Sequence, residues 1–490
     1  MSKASRQNVL FILVDQWPAW AFGHRGADIA TPNMDRLAAQ GTVFTNAFTS
    51  CPLCSPARGA LLTSRRPHQT GMYDNCGVGY SLQEGLSQDE ATWIDEAVRL
   101  DYHTGYFGKW HLGPDGPILR GAHRHDPKVD PHAKPYDPAT NDYSYERCQA
   151  RYAEQGKTLL LKGRAPFWGQ HKYTKEETSP FAIIENGVRF LEEHAAAGTE
   201  HPFFLTVSSG PPHFPHYLPQ EYADLAESLK ADLPESIDDS FEGKPRFHGR
   251  PWWPCMDTSM LDRNEWRTVI AYSHAHIMLV DEAIGRILGA LDRLGLAEST
   301  TVVFTGDHGD MEGAHNRFDK GPYFYDEVWR IPLIVRAPGK EAATQDAFVS
   351  ILDIGETFFT LIDAEPSADR PRAGRDLLPL VGAADPPADW PQIAFGIYDF
   401  YNGMNFALRA IRDDRFKYVW NPQDVDELYD LERDPHELHN LAGAPEVRDS
   451  QEALRLRLLD WLVEIGDSLP ERVDNLPNAG TITATGRPGP

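Results

Sequence analysis

Short apolar segments of strand length alternate with amphipathic helical segments along the first 385 residues of the chain. The segments Asn8–Val14 and Thr301–Thr305 are nearly continuous apolar or β-branched runs, which is typical of strands covered on both faces. The first predicted helix begins at Pro32, and Gly41 ends it. Because strands that alternate with helices usually pair in parallel, the sequence predicts an α/β fold in which helices sandwich a mainly parallel sheet.

The remaining segments extend this pattern and then break it. The other predicted strands of the large sheet are Val43–Phe48, Thr104–Gly108, Pro202–Val207 and Ile331–Val335, and the other predicted helices are Trp93–Leu100, Ile183–Ala196, Arg263–Leu296 and Ile354–Ile362. The segments Ile393–Asp399, Asn405–Arg412 and Arg415–Trp420 are predicted antiparallel strands, followed by a helix over Glu452–Ile465. The sequence therefore predicts a large domain over residues 1–385 and a smaller α+β domain with an antiparallel sheet and an extended tail over 386–490. Two long insertions, 114–180 and 211–262, interrupt the first of them, and Trp252 and Trp253 are the best candidates for the rim of a pocket.

Charge and cysteine content restrict the environment and the partners. The formal net charge of −25 argues against nucleic acid or an anionic membrane surface as a partner. The early apolar run is far shorter than the ~18–20 residues of a membrane span, and Asp15 follows it where a signal peptide would have its cleavage region. Five cysteines cannot all pair, and their spacing does not suggest a secreted disulfide framework. We therefore expect a cytoplasmic protein.

One segment combines a cysteine with the amino end of a predicted helix. Cys54-Ser55-Pro56-Ala57-Arg58 precedes a helix-forming run, so its first residue lies where unpaired N–H groups attract anions. Polar pairs follow the ends of two predicted strands at Asp15-Gln16 and Asp307-His308, and open α/β sheets bind ligands at such ends. In an acidic protein, an anionic ligand requires local cations. The candidates are Arg58, Lys109, His111 and Lys320. The combination predicts a metal-dependent enzyme that attacks a tetrahedral oxyanion ester.

Taken together, these motifs resemble those of the type I sulfatases of the alkaline phosphatase superfamily. The matching elements are Cys54-Ser55-Pro56-Ala57-Arg58, Gly108-Lys109-Trp110-His111, Pro212-His213-Phe214-Pro215, Asp307-His308-Gly309 with His315 and Lys320, and Glu427-Leu428-Tyr429-Asp430-Leu431 with Asp434-Pro435. They extend over nearly the whole chain.

The resemblance implies a fold, a modification and a set of roles. Cys54 would be oxidised to formylglycine by the converting machinery, and the hydrated aldehyde would supply the nucleophile. The residues implied for the divalent cation, Ca²⁺ first and Mn²⁺ as the alternative, are Asp15, Gln16, Cys54, Asp307 and His308. The residues implied for catalysis are Cys54, Arg58, Lys109, His111, His213 and Lys320. Substrate binding would fall to Lys109, His213, Lys320 and Asn75, although a turn role for Asn75 is equally compatible with the sequence.

The metal pattern departs from the commonest one of the family, in which a pair of aspartates opens the site and Asp-Asn closes it. Asp15-Gln16 and Asp307-His308 resemble instead the choline sulfatases and phosphonate monoester hydrolases. The expected reaction is hydrolysis of a small anionic sulfate monoester. A phosphonate monoester or phosphodiester hydrolase using the same residues is the alternative, and a non-catalytic, metal-stabilised binding protein is the alternative of another class. A zinc site at Cys51 and Cys54 is disfavoured because no second pair of ligands has a similar spacing. A homo-oligomer is compatible with the long C-terminal tail.

Overall fold

The computed structural model describes residues 6–77, 81, 83–114, 116–126, 157–159, 168–250, 258 and 261–469. Trp252 and Trp253, which the sequence suggests for the pocket rim, lie outside these residues.

Among the described residues, eight strands form one large sheet. They are β1 (Asn8–Asp15), β2 (Thr42–Phe48), β3 (His103–Gly108), β4 (Arg124–His125), β7 (Phe203–Pro212), β9 (Thr300–Gly306), β10 (Leu333–Arg336) and β11 (Ala343–Ser350). A separate small sheet contains β5 (Lys157–Leu159), β6 (Trp168–His171) and β8 (His216–Pro219). The order in the large sheet is β11-β2-β10-β9-β1-β7-β3-β4. Every neighbouring pair is parallel except those of β10, which runs antiparallel to both β2 and β9. The predicted mainly parallel sheet is confirmed.

Helices cover both faces of this sheet. They are α1 (Pro32–Ala38), α2 (Cys54–Thr63), α3 (Pro67–Thr70), α4 (Trp93–Arg99), α5 (Ser179–Ala197), α6 (Gln220–Ser228), α7 (Arg263–Arg293), α8 (Asp326–Trp329) and α9 (Ile351–Leu361). Alternate residues of β1 enter two different cores: Ile12 packs with the core of α5 and α7, whereas Phe11 packs with the core of α2, α4 and α9. The continuous apolar run of the strand therefore follows from burial on both sides.

The C-terminal part forms a second sheet that is antiparallel throughout. Its strands are β12 (Ala394–Tyr401), β13 (Met404–Arg412), β14 (Phe416–Trp420) and β15 (Glu427–Asp430), and α10 (Arg448–Glu464) follows them. Leu458 and Leu462 of the helix lie in one core with Ile411 and Tyr418 of the sheet. The predicted antiparallel sheet is confirmed, while the domain boundary at residue 385 stays a prediction.

Described residues of the two predicted insertions form a small sheet beside the large one. The small sheet joins β6 of the first insertion to β8 of the second, and these two strands pair in parallel. In the part of the chain that the structure describes, we find no helix whose length and apolar character would suit a membrane crossing.

Candidate active site

The carboxyl edge of the large sheet carries two aspartates side by side. Asp15 is the last residue of β1, and Asp307 directly follows β9. These strands are parallel neighbours with Val14 opposite Gly306, and the Asp307 N–H donates to the Val14 carbonyl (3.3 Å). Because strand pairing fixes both backbones, the sheet itself brings the two carboxylates together. This is the edge at which open α/β sheets bind ligands.

Helix α2 points its amino end at these carboxylates. Cys54 is its first residue, after Leu53 in extended conformation, and the whole helix is buried. The Cys54 Sγ lies 3.2 Å from His308 Nε2 and 3.8 Å from Asp15 Oδ1. The Ser55 N–H at the start of the helix donates to the side-chain oxygen of Asn75 (3.0 Å). Asn75 therefore takes the place of a capping residue, and Cys54 is held at the positive end of the helix.

Four buried side chains have the composition and the spacing of a cation site. One ligand atom from each of Asp15, Cys54, Asp307 and His308 lies within 4.8 Å of the others. His308 Nδ1 lies 2.8 Å from the Gly309 carbonyl, which orients the ring so that Nε2 faces the cluster. Two carboxylates and an imidazole nitrogen are donors that a divalent cation accepts, so these residues fit the ion that the sequence implies.

Gln16 lies beside this group in a left-handed backbone conformation (φ 62°). Its backbone N–H donates to Asp307 Oδ1 (3.2 Å), its side-chain oxygen accepts from Lys320 Nζ (3.1 Å), and its amide nitrogen donates to Asp310. Burial and the neighbouring Asp319 raise the pKa of Asp310 to about 7. Gln16 thus connects the aspartate pair with Lys320.

Arg58 lies one turn along α2 from Cys54 and is fully buried. Its Nε donates to Asp307 Oδ2 (2.7 Å), and its second terminal nitrogen lies 3.6 Å from Asp15 Oδ2. The other terminal nitrogen donates to the Lys109 carbonyl (2.8 Å) and to Ser208 Oγ (3.0 Å). Burial opposes the guanidinium charge, but Asp307 and Asp15 raise the pKa of Arg58 above its usual value. Arg58 therefore stays charged and orients both carboxylates.

Two lysines bring further positive charge. Lys109 follows β3, and its ammonium contacts Asp15 Oδ2. Burial opposes the charge of Lys320, but Asp319 (2.9 Å) and neighbouring anions hold its pKa well above the usual range. Burial also raises the cost of a charge on Asp15, yet Lys109 and the other cations keep the pKa of Asp15 well below its ordinary value. The site therefore concentrates positive charge within an acidic protein.

His213 lies against Lys320. Its Nε2 is 2.8 Å from Lys320 Nζ, and its Nδ1 is 2.7 Å from the Phe214 carbonyl. An ammonium group can only donate, so Nε2 accepts and Nδ1 carries the proton. Burial and the Lys320 charge lower the pKa of His213 well below its ordinary value. The imidazole is therefore neutral near pH 7.

His111 is buried and has a positive φ of 56°. Its carbonyl accepts from Ser55 Oγ (2.7 Å) and from the Cys76 thiol (3.1 Å), so its backbone is tied to the start of α2. His315, the other histidine of the sequence motifs, contacts different residues. Its Nδ1 lies 2.6 Å from Asp239 Oδ2, and its ring stacks on that of Tyr325 at 3.7 Å.

Sequence reasoning missed several supporting residues. Ser208 donates to the Lys109 carbonyl (2.8 Å) and accepts from Arg58, but a serine inside a buried strand carries no signal of its own. Asp310 and Asp319 lie within the motif from Asp307 to Lys320. Their position inside this motif was the only signal in the sequence, and the structure adds that both are buried. The described residues bring together Asp15, Gln16, Cys54, Arg58, Lys109, Asp307, His308, His213 and Lys320, with Asn75 and His111 at the start of α2.

Comparison with known proteins shows which family this chain resembles. The sulfatase family model matches residues 7–364, and a model described as N-sulphoglucosamine sulphohydrolase, C-terminal, matches residues 313–464. An ulvan-active sulfatase of Formosa agariphila is 31% identical over 96% of this chain and 83% of that protein. A choline-sulfatase of Rhizobium meliloti is 28% identical over 94% and 88%. The crystal structure of a phosphonate monoester hydrolase of Agrobacterium radiobacter superposes with a TM-score of 0.74 at 25% identity, covering 94% of this chain and 96% of that one.

The chain belongs to the sulfatase family. It is a sulfuric ester hydrolase of the alkaline phosphatase superfamily, as the sequence motifs predicted. Membership of this family implies a metal ion and a formylglycine, and the four-residue group at the sheet edge is a possible site for the ion.

Proposed function

We propose that this protein hydrolyses the S–O bond of a small organic sulfate monoester at the carboxyl edge of the large sheet. The observation that carries the proposal is the position of Cys54, at the amino end of a buried helix and 3.2 Å from His308, within a group that includes Asp15 and Asp307. Arg58, Lys109 and Lys320 supply the positive charge that an anionic ester requires.

The proposed cofactors are a formylglycine made from Cys54 and one divalent cation. The cation would be held by Asp15, Asp307, His308 and residue 54, with Gln16 as a weaker ligand. A hydrated aldehyde at residue 54 would supply an oxygen nucleophile, and the cation would lower the pKa of that oxygen. Two carboxylates favour Ca²⁺, while the imidazole of His308 makes Mn²⁺ the alternative.

The roles of the chain's own residues follow from their charges and contacts. Arg58 holds Asp307 and Asp15 in fixed orientations, and it remains charged throughout. Lys109 and Lys320 neutralise the charge on the non-bridging oxygens of the sulfate group in the transition state.

The two histidines have different roles. His213 lies on the leaving-group side, where its contact with Lys320 keeps it neutral and lets Lys320 direct an N–H toward departing negative charge. His111 is the proposed base for the second hydroxyl of residue 54: if that residue carries a hydrated aldehyde, taking up this proton would favour the release of sulfate and the return of the aldehyde. Asn75 binds substrate through its amide nitrogen, while its oxygen caps α2.

Mass spectrometry and substrate comparison test this proposal. Protein made in a host with the converting machinery should lack the thiol mass at residue 54 and should hydrolyse 4-nitrophenyl sulfate. The Cys54→Ala variant should keep its fold, as judged by its melting temperature, and lose turnover. An intact thiol in protein that binds metal but does not turn over any ester would support the binding-protein alternative instead.

A phosphonate monoester hydrolase is the second candidate. It is favoured by the 25% identical phosphonate monoester hydrolase structure and by a multifunctional alkaline phosphatase superfamily protein of Trinickia caryophylli that is 28% identical over 93% of this chain. Comparing kcat/KM for an aryl sulfate with that for a phenyl phosphonate monoester separates the two. A large preference for the phosphonate would overturn the assignment to sulfate. A homo-oligomer, a cytoplasmic location and processing by formylglycine-generating machinery remain predictions.

A further inference from the structure

The turn between β12 and β13 of the C-terminal sheet reaches the candidate active site. Asn402 and Gly403 form this two-residue turn, and both have positive φ angles, 54° and 77°. The carboxylate of Asp74 accepts both of their backbone N–H groups, Asn402 at Oδ1 (3.3 Å) and Gly403 at Oδ2 (2.8 Å). A side chain from the segment after α3 therefore holds the turn of a hairpin more than 300 residues away in sequence.

The same carboxylate holds Asn75. Asp74 Oδ1 also accepts the backbone N–H of Asn75 (2.8 Å), whose side chain caps the helix that begins at Cys54. Asp74 is 1% exposed, and burial raises its pKa although the three N–H groups oppose this rise. Both oxygens are needed, because one of them serves Gly403 while the other serves Asn75 and Asn402.

The hairpin also contacts the opposite side of the site. Tyr401, next to the turn, donates its hydroxyl to the Lys320 carbonyl (3.4 Å). Asp74 is thus a link between the hairpin and one wall of the site, and Tyr401 is a link to the other. The two walls carry Asn75 and Lys320, which we place in substrate binding under the proposed function.

We infer that Asp74 is a positioning residue for the sulfatase reaction, through which the C-terminal sheet fixes the shape of the substrate pocket. This inference rests on the proposed function because it uses the roles given there to Asn75 and Lys320. Asp74 does not touch the substrate. It acts by fixing the Asn75 backbone and the turn at Asn402 and Gly403 against each other.

The Asp74→Asn variant tests this directly. An asparagine has the same shape but only one acceptor oxygen, so its amide group must face an N–H donor of the turn or of Asn75. We expect KM for 4-nitrophenyl sulfate to rise about tenfold and kcat/KM to fall about 10- to 100-fold. A purely structural role would reduce the active fraction, and therefore kcat, without raising KM.

Asp413→Asn is the matched control. Asp413 accepts the N–H groups of Arg415 (2.9 Å) and Phe416 (2.7 Å) in the next turn of the same sheet. Both N–H groups use Oδ1, and neither Asn75 nor Lys320 is involved, so this variant changes a carboxylate of the same sheet without a link to the site, and we expect its KM to equal that of the wild type. Residue 54 is checked by mass spectrometry in both variants, so that incomplete conversion is not mistaken for lost positioning.

The outcomes separate the inference from the proposed function. Wild-type enzyme that is fully converted and inactive on sulfate esters would overturn the proposed function. Active wild type together with an Asp74→Asn variant of unchanged KM would overturn only the inference, as would an equal rise of KM in Asp413→Asn.

If Asp74→Asn does not fold, hydrogen exchange of the Cys54→Ala protein replaces it. With 4-nitrophenyl sulfate at about ten times the wild-type KM, peptides covering residues 72–77 and 399–406 should both gain protection. Exchange at 399–406 that does not change on adding the ester would overturn the inference.

Discussion

Substituting Arg58 by lysine tests whether catalysis needs the fixed orientation of Asp15 and Asp307 or only a positive charge beside them. The arginine makes three hydrogen bonds, to Asp307 Oδ2 (2.7 Å), the Lys109 carbonyl (2.8 Å) and Ser208 Oγ (3.0 Å), and it lies 3.6 Å from Asp15. A lysine keeps the charge but lacks the planar fork that reaches both sides. Losing one charge-assisted hydrogen bond costs about 1.5–3 kcal/mol, less than the ~3–5 kcal/mol expected when a buried carboxylate loses its only cation.

We therefore expect Arg58→Lys to fold with a melting temperature lower by a few degrees. Activity should fall much further, because Asp307 and Asp15 lose their common orientation, and kcat/KM for 4-nitrophenyl sulfate should drop about 100-fold, equivalent to about 2.7 kcal/mol. Arg409→Lys is the matched control. Arg409 is equally buried and also bridges two aspartates, Asp399 (2.9 Å) and Asp467 (2.7 Å), within the C-terminal part.

The two variants should lose similar stability, and only Arg58→Lys should lose activity. The assay is steady-state kinetics on protein whose conversion at residue 54 has been measured by mass spectrometry, with thermal unfolding in parallel. A converted and folded Arg58→Lys enzyme with kcat/KM within a few-fold of the wild type would refute the reasoning. So would an equal loss of activity in Arg409→Lys.

Three further predictions concern the cation, Lys320 and acid. Exhaustive chelation should abolish activity and lower the melting temperature, because a cation that binds only the folded protein stabilises it. Re-addition of Ca²⁺ or Mn²⁺ should restore both, and full activity in metal-free protein would contradict this prediction. Lys320→Gln removes the charge next to His213 and should lower kcat/KM about 100-fold; the melting temperature should also fall, because the buried Asp319 loses its ion-pair partner, whereas unchanged turnover in the folded variant would exclude Lys320 from the reaction. Burial lowers the pKa of His276 to about 3. On acidification, the unfolded chain therefore binds a proton at His276 near pH 6.5, whereas the folded protein binds it only near pH 3. The free energy of unfolding should decrease as the pH is lowered between these two values. His276→Gln should therefore show a smaller loss of melting temperature between pH 7 and pH 5 than the wild type, and equal losses would show that His276 does not contribute.

The sequence was most informative where a polar residue that could bind a metal directly follows a predicted strand. The neighbouring positions of Asp15 and Asp307 were predictable because each follows a buried strand, and parallel strands present their carboxyl ends at one edge. The antiparallel course of β10 was not predictable. Three of its four residues are buried and apolar and the last is half-buried, and this pattern suits a parallel strand as well as an antiparallel one.

The roles of supporting residues were less accessible because they depend on contacts between distant segments. Asn75 illustrates this: its sequence context was compatible with a turn or with substrate binding, and the structure adds a cap on the helix of Cys54. No local pattern predicts that cap, since the helix and Asn75 are joined only through tertiary contacts. Its contact with substrate stays a prediction.

The same limit explains why the C-terminal sheet could be predicted as a unit but not as a part of the site. Alternating strands and a tight turn identify the β12–β13 hairpin locally, whereas the acceptor for its turn, Asp74, lies in the other part of the chain. A buried carboxylate with three backbone donors is costly unless every donor is in place, so the turn and the Asn75 segment can adopt this arrangement only together. The Asp74 contacts therefore tie the C-terminal hairpin to the segment that carries Asn75, and through the inferred role of Asp74 both sheets would shape the substrate pocket.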